Sequence, residues 1–219
     1  LSDQDAGAVH INRSGRLLIP VAKNWAVIFL FLLIVVFSFA GRGFFSLTNF
    51  QNILHLSTIF LILSAAETFV IITGGIDLSV GFVMGLSSVL SAKVMQTLYA
   101  SAMPQPTAIL LGSVAGIAVG FLPGLVSGIL IARLNVPPFI ATLGMWGMTN
   151  GITLRICQGF PISFLPPRLV ELGNGYLFYI LPGESFSFFH KPLGIADSQI
   201  RELVRIVPNS LVFSLAVLF

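Results

Sequence analysis

The residues with chemistry to offer are two carboxylates, Glu67 and Asp77, and the segment Thr73-Gly74-Gly75-Ile76-Asp77-Leu78-Ser79-Val80-Gly81. The two acids are the only ones between Asp5 and Glu171, and they interrupt an apolar run over residues 53–90. At the centre of a membrane helix each acid costs about 2.5–3.5 kcal/mol on insertion scales. Each therefore needs a partner, a neutral form or water. Glycine-rich, non-helical backbone at membrane depth survives only where protein buries it or where it lines a polar cavity. The chemistry on offer is hydrogen bonding and charge along a polar path, with Glu67, Thr73, Gly74, Gly75, Asp77 and Ser79 as candidates to line or shape it. A structural reading stands beside this one. In it Asp77 caps the next helix by accepting from the N–H of Ser79 or Val80, and Glu67 accepts from the N–H groups of Gly74 and Gly75. A proton relay needs a paired base, and none stands near these acids in the chain.

Other chemistry is thin. Asn150, next to Thr149, is placed either to face a solute or to bond a neighbouring helix. His10, His55 and His190 are scattered without metal-ligand spacing. The chain has no G-x-x-x-x-G-K-[ST] loop, no H-E-x-x-H and no G-x-S-x-G. The expectation is a chain with no catalytic residue, no metal and no cofactor. Cys157 is the only cysteine, so no internal disulfide can form. No basic cluster with interleaved aromatics suggests nucleic acid.

The elements that must position these groups follow from composition. Hydrophobic residues make up 56% and charged residues 9%, with a mean hydropathy of +0.98. Soluble domains carry about 25% charge, so a soluble fold could not cover its surface. The fold expected is an all-α, polytopic helical membrane protein with about six spans, one helix break and a truncated last span. The expected spans are residues 24–40, 50–73, 78–99, 107–132 and 139–156, with the last beginning near Pro208. Residues 1–23 form a polar segment without signal-peptide character. Arg13, Arg16 and Lys23 favour a cytoplasmic N-terminus and a membrane domain over 24–219. Residues 157–204 form an ordered external loop, with a short interfacial helix at 197–205. The fourth span carries Gly112, Gly116, Gly120, Gly124 and Gly128 at a strict spacing of four, a small-residue ridge for close helix packing. Pro123 within it should kink or break the helix.

The segment TGGIDLSVG (residues 73–81) resembles the signature of the ribose/galactoside-type permeases of bacterial ABC importers. Three further stretches agree in order: GLVSGILIARLNVPPFIATLG (124–144), GMTNGITL (147–154) and QGFPISFLPP (158–167). Together they cover residues 50–167. Branched-chain amino-acid permeases are similar in organisation. The resemblance implies a permease subunit of the cell membrane, surrounded by lipid and paired with a second copy. It implies an ATP-binding cassette ATPase on the cytoplasmic side and an extracytoplasmic solute-binding protein that delivers a monosaccharide. Ser127 departs from the pattern, since many members carry Asn there.

The resemblance also places the segment that contacts the ATPase beyond the span truncated at Phe219, so this chain is expected not to couple ATP hydrolysis to transport. Rival readings are a branched-chain amino-acid or nucleoside permease of the same superfamily, a secondary transporter with a broken-helix site, and a non-transporting structural subunit whose working surface is the glycine ridge.

Overall fold

The computed structural model describes residues 24–181, 185–188 and 203–218. The expected cytoplasmic segment 1–23 lies outside the described residues. The chain divides into two compact units, one ending at Phe50 and one beginning at Gln51.

In the first unit, helix α1 (Trp25–Ala40) is 16 residues of almost unbroken Phe, Leu, Ile and Val, and it buries none of them. Gly41 stops it, with its N–H returning to the Phe37 carbonyl at 2.8 Å. Phe37 then stacks on Phe44, with ring centroids 6.4 Å apart. Ser46 accepts from the N–H of Asn49 at 3.2 Å and so starts helix α2 (Leu47–Ile72) as a side-chain cap.

Most of α2 belongs to the second unit. There it is followed by helices α3 (Val80–Ala100), α4 (Gln105–Leu134) and α5 (Pro138–Cys157), which pack on one another. Proline sits in the first turn of α4 and of α5, where its missing N–H costs nothing and its fixed φ suits a helix. The segment Met103-Pro104-Gln105-Pro106 is therefore the start of α4 as well as a break. Left-handed Asn135 ends α4, and left-handed Gln158 ends α5. Pro123 does not break α4, which runs for 30 residues around it. The helix tolerates it because only one backbone donor is lost and the flanking turns remain hydrogen-bonded.

Among the described residues two helices, α2 and α4, are long and apolar enough to cross a membrane by length and composition. α3 and α5 have 21 and 20 residues, close to the roughly 20 that a crossing needs.

The expectation of an all-α chain is corrected. After helix α6 (Pro167–Asn174), the strands β1 (Tyr176–Leu181), β2 (Ser185–Phe188) and β3 (Val204–Pro208) form an antiparallel sheet in the order β2-β1-β3. Phe178 stands between Phe188 and Ile206 in register. Aromatic and β-branched residues favour this pleated surface. Tyr176, Tyr179, Leu181 and Leu203 form its small buried core. The interfacial helix expected at 197–205 is likewise corrected where it can be seen: Val204 and Arg205 lie in β3, because pairing with β1 satisfies their backbone. Residues 197–202 lie outside the described residues. Helix α7 (Asn209–Leu218) follows β3 directly.

Candidate functional site

The site is built where α2 stops and α3 has not yet begun. α2 ends in a Schellman turn: the Gly75 N–H reaches the Val70 carbonyl at 3.0 Å, and the Gly74 N–H reaches Ile71 at 2.9 Å. Gly74 makes this possible, with φ at 77°, a left-handed value that a side chain resists. Both glycine donors are thus satisfied by backbone. The expectation that Glu67 bonds them is corrected for that reason.

Glu67 turns to a more distant donor. Its Oε1 accepts from the backbone N–H of Asp77 at 3.3 Å, while its Oε2 is buried and has no partner among the described residues. Asp77 Oδ1 accepts from both the backbone N–H and the hydroxyl of Ser79, each at 2.7 Å. This turn precedes α3, whose first bonds run from Phe82 and Val83 back to the Ser79 carbonyl, both at 2.9 Å. Ser79 itself is buried, at 3% exposure. Thr73 is exposed and its hydroxyl donates to the Val70 carbonyl at 2.8 Å.

α5 supplies the opposite wall. The Thr142 hydroxyl stands 3.1 Å from the Ile76 carbonyl and 2.9 Å from the Pro138 carbonyl of its own helix. Its single proton is shared between them. Pro138 also approaches the space beside Gly75, and Phe82 packs edge-on to Trp146 at 5.2 Å. Thr142 is the residue that the sequence reading left out of the site. Its signal was faint: a threonine just after Pro137-Pro138, facing a carbonyl 66 residues earlier in the chain.

The other candidates are elsewhere. Asn150 is half-buried on α5, eight residues beyond Thr142, which at about 1.5 Å per residue places it about 12 Å along the axis. The structure does not bring it to the break. The glycine ridge of α4 divides in two. A Cβ at Gly116 would stand 2.9 Å from Ser91 Cβ and 3.1 Å from the Ser87 carbonyl, and one at Gly120 would stand 3.2 Å from Ser87 Oγ. Gly112 approaches Met95 and Ser91. These three face α3, and the Ser87 hydroxyl donates across to the Gly116 carbonyl at 2.5 Å. Among the described residues Gly124 and Gly128 meet nothing within 4 Å and, with Gly120, Phe121 and Arg133, line a groove of about 500 Å³. Ser127 is buried at 6% exposure, and its hydroxyl has no partner among the described residues.

Chemically, the break offers a buried carboxylate acceptor, a second carboxylate fixed by a serine, and exposed glycine backbone. That set suits hydrogen bonding to hydroxyls or water. Among the described residues, no three His, Cys, Asp or Glu side chains gather as a metal site would require.

The family described as the permease component of branched-chain amino acid transport systems matches residues 49–218. The ribose import permease protein of Haemophilus influenzae is 33% identical over 167 residues, covering 74% of this chain and 48% of that protein. The fructose import permease protein of Rhizobium meliloti is 43% identical over 106 residues, covering 48% of this chain and 28% of that one. The autoinducer 2 import system permease protein of Yersinia pestis is 33% identical over 171 residues, covering 78% and 44%. The chain thus spans less than half the length of these relatives. No solved structure matches it significantly. With the match running from the first turn of α2 to the end of α7, the chain belongs to the branched-chain amino acid transport permease family, a family of membrane proteins.

Proposed function

We propose that this chain is part of the transmembrane permease subunit of an ATP-driven importer that moves a monosaccharide, or a similarly small polar solute, into the cytoplasm. The observation that carries the reading is its relationship, over 74% of its residues, to a protein named for ribose import. The fructose relative points the same way. The site supports it too. A sugar is rich in hydroxyl donors, and Glu67 Oε2 is a buried acceptor that no described group satisfies. An unmet acceptor of this kind costs about 1–3 kcal/mol, so water or a passing hydroxyl is favoured there.

In this reading the spans are α1 to α5 and the start of a sixth at α7, in the inner membrane and surrounded by lipid. The N-terminus is cytoplasmic, the break between α2 and α3 lies towards the inside, and the sheet lies outside. The partners are an ATP-binding cassette ATPase, an extracytoplasmic solute-binding protein and a second permease copy. ATP hydrolysis belongs to the ATPase. A second reading, branched-chain amino-acid import, is favoured by the description of the matching family.

Reconstitution tests both. The full-length permease, with its ATPase and binding protein in proteoliposomes, is offered labelled ribose, fructose and leucine. ATP-dependent uptake of a sugar but not of leucine is expected. The reverse selectivity establishes the second reading, and uptake driven by an ion gradient without ATP overturns both.

A further inference from the structure

Among the described residues, α2 is held within its unit near its two ends and hardly between them. In its second turn Gln51 Nε2 donates to the Arg205 carbonyl. One turn later His55 Nδ1 pairs with the Ser210 hydroxyl at 3.0 Å. Residues four apart share a helix face, so one face of α2 grips the β3–α7 junction twice. At the far end Glu67 grips the backbone of Asp77. Between these contacts Leu56, Ile59, Phe60, Leu61 and Ile62 are exposed. Thr58 is buried, but its hydroxyl bonds only its own helix, at the Leu54 carbonyl.

The junction that α2 grips is itself tied to the sheet. Asn209 donates its N–H to the Gly175 carbonyl at 2.9 Å, and the Arg205 guanidinium stands 5.4 Å over the Tyr176 ring. From Gln51 to Glu67 a helix rises about 24 Å, most of the roughly 30 Å hydrocarbon thickness. A hydrogen-bonded helix carries a displacement over that distance with little loss. Gln and His inside an apolar helix are expensive, so their joint use at one junction needs a return.

We infer that α2 is a strut coupling the three-stranded sheet to the helix break, with Gln51 and His55 as positioning residues whose displacement is delivered through Glu67 to Asp77. The inference rests on the permease reading: the solute-binding protein docks on the sheet side, and the break side shapes the path.

The test uses the full-length permease with its ATPase in proteoliposomes, in a background freed of every cysteine, Cys157 included, and carrying Ile76→Cys. Ile76 is exposed at the break. The rate at which a water-soluble maleimide labels position 76 is measured with and without solute-loaded binding protein. A change of at least about fivefold is expected, the lower end of usual coupling between sites. Gln51→Ala with His55→Ala should abolish the change while leaving ATPase binding near the parent. His55→Asn, which keeps a polar atom near the Nδ1 position, should restore much of it. Ser210→Ala should match His55→Ala, and the pair should be no worse than either alone. A parent that transports with unchanged labelling, or a double variant that keeps the change, overturns the strut alone. A parent that takes up no solute under ATP overturns the permease reading and the strut together.

Discussion

Glu67 reaches across the helix break to Asp77, its Oε1 accepting from the Asp77 backbone N–H at 3.3 Å while its Oε2 lies buried without a donor. One oxygen thus fixes the break and the other is left available. The division gives one residue a structural bond and a buried acceptor without a donor among the described residues. Glu67→Ala leaves the Asp77 donor unmet and should cost about 1–3 kcal/mol, read as a lower thermal midpoint in detergent. Glu67→Gln retains the Oε1 acceptor and should hold most of the stability. If Oε2 meets a solute hydroxyl, Glu67→Gln should still raise the KM for uptake.

Asp77 organises the entry to α3 through two bonds to Ser79. Asp77→Ala should cost about 0.5–2 kcal/mol, the range for losing a helix-start acceptor, and Asp77→Asn should be milder. Hydrogen exchange at residues 79–83 reports this locally. Equal protection in the Ala variant and the parent would remove the capping role.

The glycines of α4 should separate into two classes. Gly116→Leu drives a side chain into Ser91 and the Ser87 carbonyl, an overpacking of about 1–3 kcal/mol or more. Gly124→Ala and Gly128→Ala meet nothing among the described residues and should gain up to about 1 kcal/mol of helix propensity each. Thermal unfolding of the isolated permease measures the contrast. If Gly124→Ala destabilises a dimeric preparation alone, a second copy covers that half of the ridge.

Ser87 tests the same crossing more gently. Ser87→Ala removes the hydroxyl bond to the Gly116 carbonyl, and interhelical bonds of this kind average about 0.6 kcal/mol. A drop in midpoint of several degrees would show that the bond matters more than its class.

Thr142 ties α5 to the break through the Ile76 carbonyl. Thr142→Val keeps the volume and removes the donor; Thr142→Ser keeps the donor. Maleimide labelling of a thiol placed at position 76 should speed up in the Val variant and stay near the parent in the Ser variant.

The legible parts of this chain were local. Long apolar runs mark helices because burying backbone polar groups in lipid forces internal hydrogen bonding, and the helices fall within a few residues of the runs. The Asp77–Ser79 turn was readable because its partners are two residues apart. The sheet was not: YLFYIL, SFSF and VRIVP are each short, and they become strands only by pairing over sequence distance. Proline and glycine around them read as loop.

The sequence by itself determined that the chain belongs in a membrane, that its apolar run is interrupted between Thr73 and Gly81, and that an acid stands two residues before a serine there. Only the tertiary structure decided what those groups meet. Glu67 bonds Asp77 instead of the glycines, because the turn at Gly74 and Gly75 closes on its own backbone. Thr142 joins the break and Asn150 does not, because they sit two turns apart on α5. Five equally spaced glycines divide into packed and open halves, since spacing fixes a face of a helix, and only the crossing with α3 fixes which part of that face is covered.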